Sequence, residues 1–174
     1  YWKENRLNWH LSLGMGEEKY RFHDHGKLAH YADAATDIEF KFPFGFKELE
    51  GIHSRTDYDL NQHEKFTGKK LRFYDPEMNE SYTPYVLETS IGLDRMFLAV
   101  LSSSLIEEIL ENNSIRKVLK IPSVLAPYKA AILPLVKKDG LPEIGKKILN
   151  DLKLDFNVFF DEKDAIGRRY RRQD

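Results

Sequence analysis

The side chains best placed for chemistry begin at Glu88 and Ser90, two residues apart in the β-rich run Tyr85–Val86–Leu87–Glu88–Thr89–Ser90–Ile91. Gly92–Leu93–Asp94–Arg95 follows at the mouth of an apolar segment, Met96–Phe97–Leu98–Ala99–Val100–Leu101. Strand alternation puts Glu88 and Ser90 side by side on one face, and the first turn of the helix presents Arg95, so a carboxylate, a hydroxyl and a cation meet in one corner. Such a corner suits a small ligand with an amine at one end and phosphates at the other. The bland reading of the same pattern is a strand with two solvent-facing polar residues and a surface arginine. Glu48 and Glu50 form a second candidate pair, able to hold Mg²⁺ against nucleotide phosphates, since that hard cation takes oxygen ligands and often uses one or two carboxylates. They read equally as a solvated strand face.

Other clusters carry less. His23, Asp24, His25 and His30 gather in one stretch, but their spacing matches no zinc pattern and the chain has no cysteine to help, so a polar loop is expected. Arg168, Arg169, Arg171 and Arg172 around Tyr170 could contact RNA phosphates with a ring to stack on, and local ion pairs explain them equally well. The sequence has no nucleophile-elbow serine, Walker loop or dinucleotide-binding glycine fingerprint, which argues against the hydrolase, P-loop and Rossmann-cofactor classes.

Elements must hold these groups. Trp2, Leu7 and Leu11 with Arg6 and His10 read as the later turns of an amphipathic helix, and the polar stretch through Gly26 as a loop or strand edge. Asp37 to Phe42 alternates strictly, with Ile38, Phe40 and Phe42 on one face, which predicts a half-buried strand. A turn at Pro43 and Gly45 leads to a second strand, Lys47 to Arg55, where period two places Glu48 and Glu50 on the face of Ile52 with Leu49 opposite. Asn61 to Lys70 reads as polar connector, and Leu71–Tyr74 with Tyr82–Ser90 as a hairpin around Asp75–Asn79. From Gly92 the period turns helical: Leu93, Met96, Phe97, Val100 and Leu101 form a stripe continued unevenly by Ile106, Ile109 and Leu110, which predicts a long helix packed on the sheet. The first part of the chain is therefore α+β. With prolines at 122, 127 and 134 punctuating a boundary, Ala130–Leu133, Leu141–Leu152 and Phe156–Phe160 read as strand, helix and strand, a parallel pair with a right-handed crossover. The division predicted is 1–118 and 119–174, the second domain incomplete.

The chain has 174 residues, 41% of them hydrophobic, and a net charge of −1, ample for a packed core and no case for nonspecific nucleic-acid or membrane affinity. No stretch is long and apolar enough to span a bilayer, no signal-peptide pattern appears, and a cytosolic setting is expected. Both ends read as cut from a longer chain.

Several stretches together carry a resemblance. Leu28–Ala29–His30–Tyr31–Ala32 with Asp37–Ile38–Glu39, then Glu48–Leu49–Glu50–Gly51–Ile52–His53–Ser54–Arg55–Thr56–Asp57–Tyr58–Asp59–Leu60, then Glu88–Thr89–Ser90–Ile91–Gly92–Leu93–Asp94–Arg95 resemble the homodimeric class II glycyl-tRNA synthetases. Gly92–Arg95 before an apolar helix is similar to class II motif 3, and the stretch from Glu48 to Asp57 points to glycine. Ala126–Pro127–Tyr128–Lys129 and Gly167–Arg172 resemble the family's anticodon-binding domain. The resemblance implies a class II catalytic core, an antiparallel sheet with a long motif 3 helix, followed by an incomplete α/β anticodon-binding domain. It implies ATP with Mg²⁺, glycine and tRNA(Gly) as ligands, and a homodimer.

Carried over by position, it implies that Arg95 grips the ATP phosphates and that Glu48 lies on the nucleotide and Mg²⁺ side. Leu49, Gly92, Leu93 and Asp94 would complete the nucleotide site, with Glu88, Thr89, Ser90, Ile91 and Gly92 around glycine. Glu50 and Arg55 would touch ligand or brace the strand, and Arg168, Arg169, Arg171 and Arg172 would face tRNA. Class II motifs 1 and 2 would lie before Tyr1, so this stretch alone is not expected to activate glycine. A synthetase-like paralogue and a noncatalytic binding module are the rival readings.

Overall fold

Ile38 and Phe40 have no exposed surface and Phe42 almost none, so the alternation read in the sequence becomes the floor of a core. In the computed structural model, which describes residues 1–173, these side chains belong to β2 (Ala34–Phe42). It pairs with β1 (Tyr20–Asp24) on one side and β3 (Gly45–Ser54) on the other, and β6 (Leu87–Ile91) follows β3. All three pairings are antiparallel. α1 (Trp2–Ser12) packs against β2 and, with the segment after it, buries His10, Leu13 and Met15. Each large apolar side chain so buried stabilises the fold by roughly 1.5–3 kcal/mol.

Two expectations fail between β3 and β6. Asn61 onward is not connector but part of a helix, α2 (Tyr58–Thr67), closed by Gly68 in the left-handed conformation with its N–H on the Glu64 carbonyl at 2.9 Å. No residue of α2 is fully buried, so it lacks the apolar stripe that marks a helix in sequence; Asp57 before it and Gly68 after it were the available signals. The hairpin is also shorter than expected. β4 (Phe73–Asp75) pairs only with β5 (Glu80–Tyr82), around a turn in which Asp75 Oδ1 accepts the Glu77 and Met78 N–H groups at 2.8 and 3.2 Å. The chain then leaves that hairpin, and β6 joins the main sheet instead.

α3 (Leu93–Ser104) starts where the period change placed it but stops at Ser104. Ile106 and Ile109 lie in a hairpin of β7 (Leu105–Ile109) and β8 (Ile115–Leu119), turned by Asn113 at φ 60 and tied by Glu108–Arg116 at 2.6 Å. Apolar residues at 105, 106, 109 and 110 fit both helical and strand spacing, and Ser102–Ser104 offers little helix propensity to carry the helix on. Nor is the stripe packed as expected: Leu93 and Phe97 are 83% and 67% exposed, and Ala99 alone of the apolar run is fully buried.

The compact units divide between Ser102 and Ser103, in the last turn of α3, which puts the β7–β8 hairpin in the second. There β9 (Ala130–Ile132) and β10 (Val158–Phe160) pair in parallel, joined through α4 (Leu141–Leu152), as the strand–helix–strand pattern predicts. A Cβ on Gly145 would meet Phe160, Pro134 and Ile132 at 3.0–3.3 Å, so glycine lets α4 lie close over this pair. α5 (Ile166–Arg171) buries Arg169, whose Nε and Nη2 donate to the Asp164 carbonyl at 3.1 and 2.9 Å while Nη1 donates to Pro134 O. Arg169→Ala should lower the unfolding free energy of the chain by about 1–3 kcal/mol, because the buried Pro134 carbonyl and the part-buried bonds to the Asp164 carbonyl lose a charged donor. Urea unfolding with a loss below about 0.5 kcal/mol, the range of ordinary surface substitutions, would show that the guanidinium braces nothing. Among the described residues, no helix is long and apolar enough to cross a membrane.

Candidate functional site

The register of the four-stranded sheet sorts its side chains into two faces, because directly paired residues of antiparallel strands project to the same side. Ala35, His53 and Glu88 form one row and His23, Asp37, Gly51 and Ser90 the next, followed by Arg21, Glu39 and Glu48. This is a polar face. Behind it, Tyr20, Ile38, Phe40, Glu50 and Ile52 project toward α1.

A β-bulge separates the two glutamates that period two had put together. Ile38 pairs with Glu50, but the next residue, Glu39, pairs with Glu48, so Leu49 is the extra residue on β3. The insertion resets the alternation. Glu48 therefore stands on the polar face, 54% exposed, and Glu50 on the buried face at 1%. Arg6 and His10 occupy the Glu50 carboxylate, Arg6 through Nε and Nη2 and His10 Nε2 at 2.7 Å from Oε2. Burial pushes this carboxyl up, yet the bonds from His10 and Arg6 outweigh it and hold it below the ordinary carboxylate range. Glu50 is thus a brace between sheet and helix. Leu49 is 1% exposed, so its side chain belongs to the core.

Arg95, in the first turn of α3, donates from Nη1 to the Glu48 carbonyl at 2.7 Å and lies 3.3 Å from Glu48 Oε2. The pair rims an open cleft of about 530 Å³ that also includes Glu39, Lys47 and the parallel rings of Phe42 and Phe44, 5.2 Å apart. Glu39 is already tied to Arg21. A Cβ at Gly92 would meet only the Arg95 stem, at 3.6–3.7 Å, so packing alone does not demand glycine there. Leu93 and Asp94 are exposed beside it.

Glu88 and Ser90 lie in adjacent rows as the alternation predicts, with Thr89 and Ile91 on the opposite face. Arg55 is paired with Glu88. Its Nη1 donates to Glu88 Oε2 at 2.7 Å, its Nε and Nη2 grip Asp59 in the first turn of α2, and its guanidinium lies 4.3 Å from the centre of the Tyr31 ring. The hydrogen bond with Asp59 lowers that carboxyl and raises the guanidinium further above its usual value. Two carboxylates share one guanidinium, which leaves one net negative charge in this corner. Of the C-terminal arginines, Arg169 is buried and Arg172 is paired with Asp161 and Asp164, while Arg168 and Arg171 are exposed.

No family model matches the chain. In fold it is similar to the Giardia lamblia prolyl-tRNA synthetase solved in complex with prolyl-adenylate, with a TM-score of 0.51 at 17% identity over 95% of this chain and 34% of that one. The glycine–tRNA ligase of Chlorobaculum tepidum is 50% identical to it over 174 residues, 99% of the chain, and that of Borrelia hermsii 50% identical over all of it. Over its whole length the chain is similar to the glycine–tRNA ligases. The Bacillus cereus glycine–tRNA ligase adds 53% identity over 176 residues. The chain spans 37–40% of the length of these glycine–tRNA ligases. The structural likeness shows the fold alone, an antiparallel sheet with flanking helices.

One constellation escaped the sequence reading altogether. His25, Asp37 and His53 converge on the polar face, each offering a ligand atom within 4.8 Å of the others. His25 had been grouped with His23, Asp24 and His30, its neighbours in sequence, whereas its partners come from β2 and β3.

Proposed function

We propose that this chain is part of a class II glycine–tRNA ligase that activates glycine with ATP to glycyl-adenylate and passes the glycyl group to tRNA(Gly). The observation that carries the reading is the placement of Arg95 and Glu48 at a cleft on the same sheet face as the Glu88–Ser90 rows, in a chain about half identical to glycine–tRNA ligases. Residues 1–118 would belong to the catalytic domain, with Gly92–Arg95 and α3 as motif 3, and 119–174 to the anticodon-binding domain, where the exposed Arg168 and Arg171 are the better candidates for tRNA contact. A homodimer in the cytoplasm is the setting the resemblance implies.

In this reading the Glu88 corner, with its spare negative charge, takes the glycine ammonium and Ser90 orients it. A glycine carboxylate oxygen bonds to the α-phosphorus of ATP, the bond from that phosphorus to the bridging oxygen breaks, and pyrophosphate leaves with the electron pair. Arg95 holds the phosphate tail and offsets charge that develops on it, which is positioning and electrostatic work. Glu48 fits Mg²⁺, since its carboxylate is exposed and only loosely held by Arg95, and a bound Mg²⁺ would neutralise phosphate charge. A glycine site needs only to exclude larger side chains, which a tight pocket does sterically.

Pyrophosphate exchange with each of the twenty amino acids, in a protein of the relatives' length, tests the reading; exchange with glycine alone is expected. Glu88→Ala should raise the KM for glycine about 10–100-fold, the worth of one charge-assisted hydrogen bond, with little change in the KM for ATP. Arg55 remains held by Asp59 in that variant, so equal losses for both substrates would remove Glu88 from the glycine site.

A further inference from the structure

We propose that His25, Asp37 and His53 bind a divalent transition-metal ion, with Zn²⁺ as the best match to the donor set. The three residues come from separate segments: His25 directly follows β1, Asp37 lies in the middle of β2, and His53 lies near the end of β3. His25 Nε2 is 2.9 Å from Asp37 Oδ2, yet it is out of line for a hydrogen bond and has no other partner. His53 Nδ1 is likewise buried and without a partner. An unpaired buried polar atom destabilises a fold, so two imidazole nitrogens left this way beside one carboxylate form an unsatisfied cluster that a shared cation completes.

Two imidazoles and one carboxylate are a borderline donor set, suited to Zn²⁺, Co²⁺ or Cu²⁺ and not to Mg²⁺, which prefers oxygen. Three protein ligands leave at least one coordination position for water or a ligand, on the face that carries Glu88 and Ser90. Backbone geometry supports the cluster. A Cβ at Gly51 would fall 2.7 Å from His53 Cε1 and 3.6 Å from Asp37 Oδ1, so the absence of a side chain there is what lets the His53 ring lie over this row. The ion would tie the outgoing end of edge strand β1 to the two central strands, and this holds whether or not the chain serves glycine activation.

Zn²⁺ titration of the metal-free chain against a chromophoric chelator, with neither glycine nor ATP present, is the test. One equivalent should bind, and His25→Gln and His53→Gln should each weaken it at least tenfold, while His30→Gln, outside the cluster, leaves it unchanged. The Cu²⁺ form of the wild-type chain should show nitrogen superhyperfine splitting from two imidazoles, a reading that needs no variant to fold. Absence of stoichiometric binding, binding that survives both substitutions, or a Cu²⁺ spectrum with fewer than two nitrogens would overturn the site.

Discussion

Arg95→Ala, made in a protein of the relatives' length, should lower glycine-dependent pyrophosphate exchange by about 10²–10³-fold, the usual cost of removing one preorganised charge or donor from a polar transition state. Only Nη1 of Arg95 is committed, to Glu48, and among the described residues Nε and Nη2 make no protein hydrogen bond. About half of the side chain is exposed, so its loss should leave the melting temperature nearly unchanged, as for other surface substitutions. That combination separates a ligand contact from a brace. Arg95→Lys should recover only part of the rate, because an ammonium cannot reproduce a planar two-point grip on phosphate. A rate loss under about threefold, or one matched by a lower melting temperature, would take Arg95 out of the phosphate site.

The parts of the fold legible in the sequence are those whose burial is one-sided. β2 shows period two because Ile38 and Phe40 face α1 while Asp37 and Glu39 face away, and α4 shows helical period because one face of it, centred on Gly145, lies over β9 and β10. α2 was invisible because none of its residues is fully buried, so tertiary context and end signals define it instead of a stripe. The β7–β8 hairpin was hidden for a different reason. Its spacing satisfied the helical pattern that preceded it, and what ends α3 is a strand pairing made with residues downstream.

The candidate site divides along the same line. Glu88 and Ser90 could be placed together because β6 is regular and alternation holds over two residues. Glu48 and Glu50 could not, since one inserted residue, Leu49, reverses the face of everything before it, and nothing in the local composition marks a bulge. Arg55 was legible as a residue but not as a role: its grip on Glu88 spans two strands that only the sheet brings together. His25, Asp37 and His53 carry the lesson furthest, because a cross-strand cluster has no spacing rule of the kind that short zinc motifs supply.

Glu50→Ala should destabilise the chain by about 3–5 kcal/mol near neutral pH, the cost of removing one partner from a buried charged cluster. That is a large part of the 5–15 kcal/mol typical of a domain. The loss has three sources: Arg6 keeps its charge with no counterion, His10 loses its Nε2 partner while its Nδ1 already has none, and a cavity opens between α1 and β3. Glu50→Gln keeps the volume and one acceptor, so it should cost less, about 1–3 kcal/mol. The two variants also separate by pH. The native Glu50 carboxyl is held below its ordinary value of 4.5, so its stabilisation is fully present above that value and is lost as pH falls through the lower native one. Wild-type unfolding free energy should therefore drop in that acid window, and Glu50→Gln, which has no carboxyl to protonate, should show a shallower drop. Urea unfolding across the window measures both slopes. Parallel slopes, or a cost below about 1 kcal/mol for alanine, would mean that Arg6, 23% exposed, already keeps its charge in water and that the α1–β3 contact is carried by the apolar atoms around it.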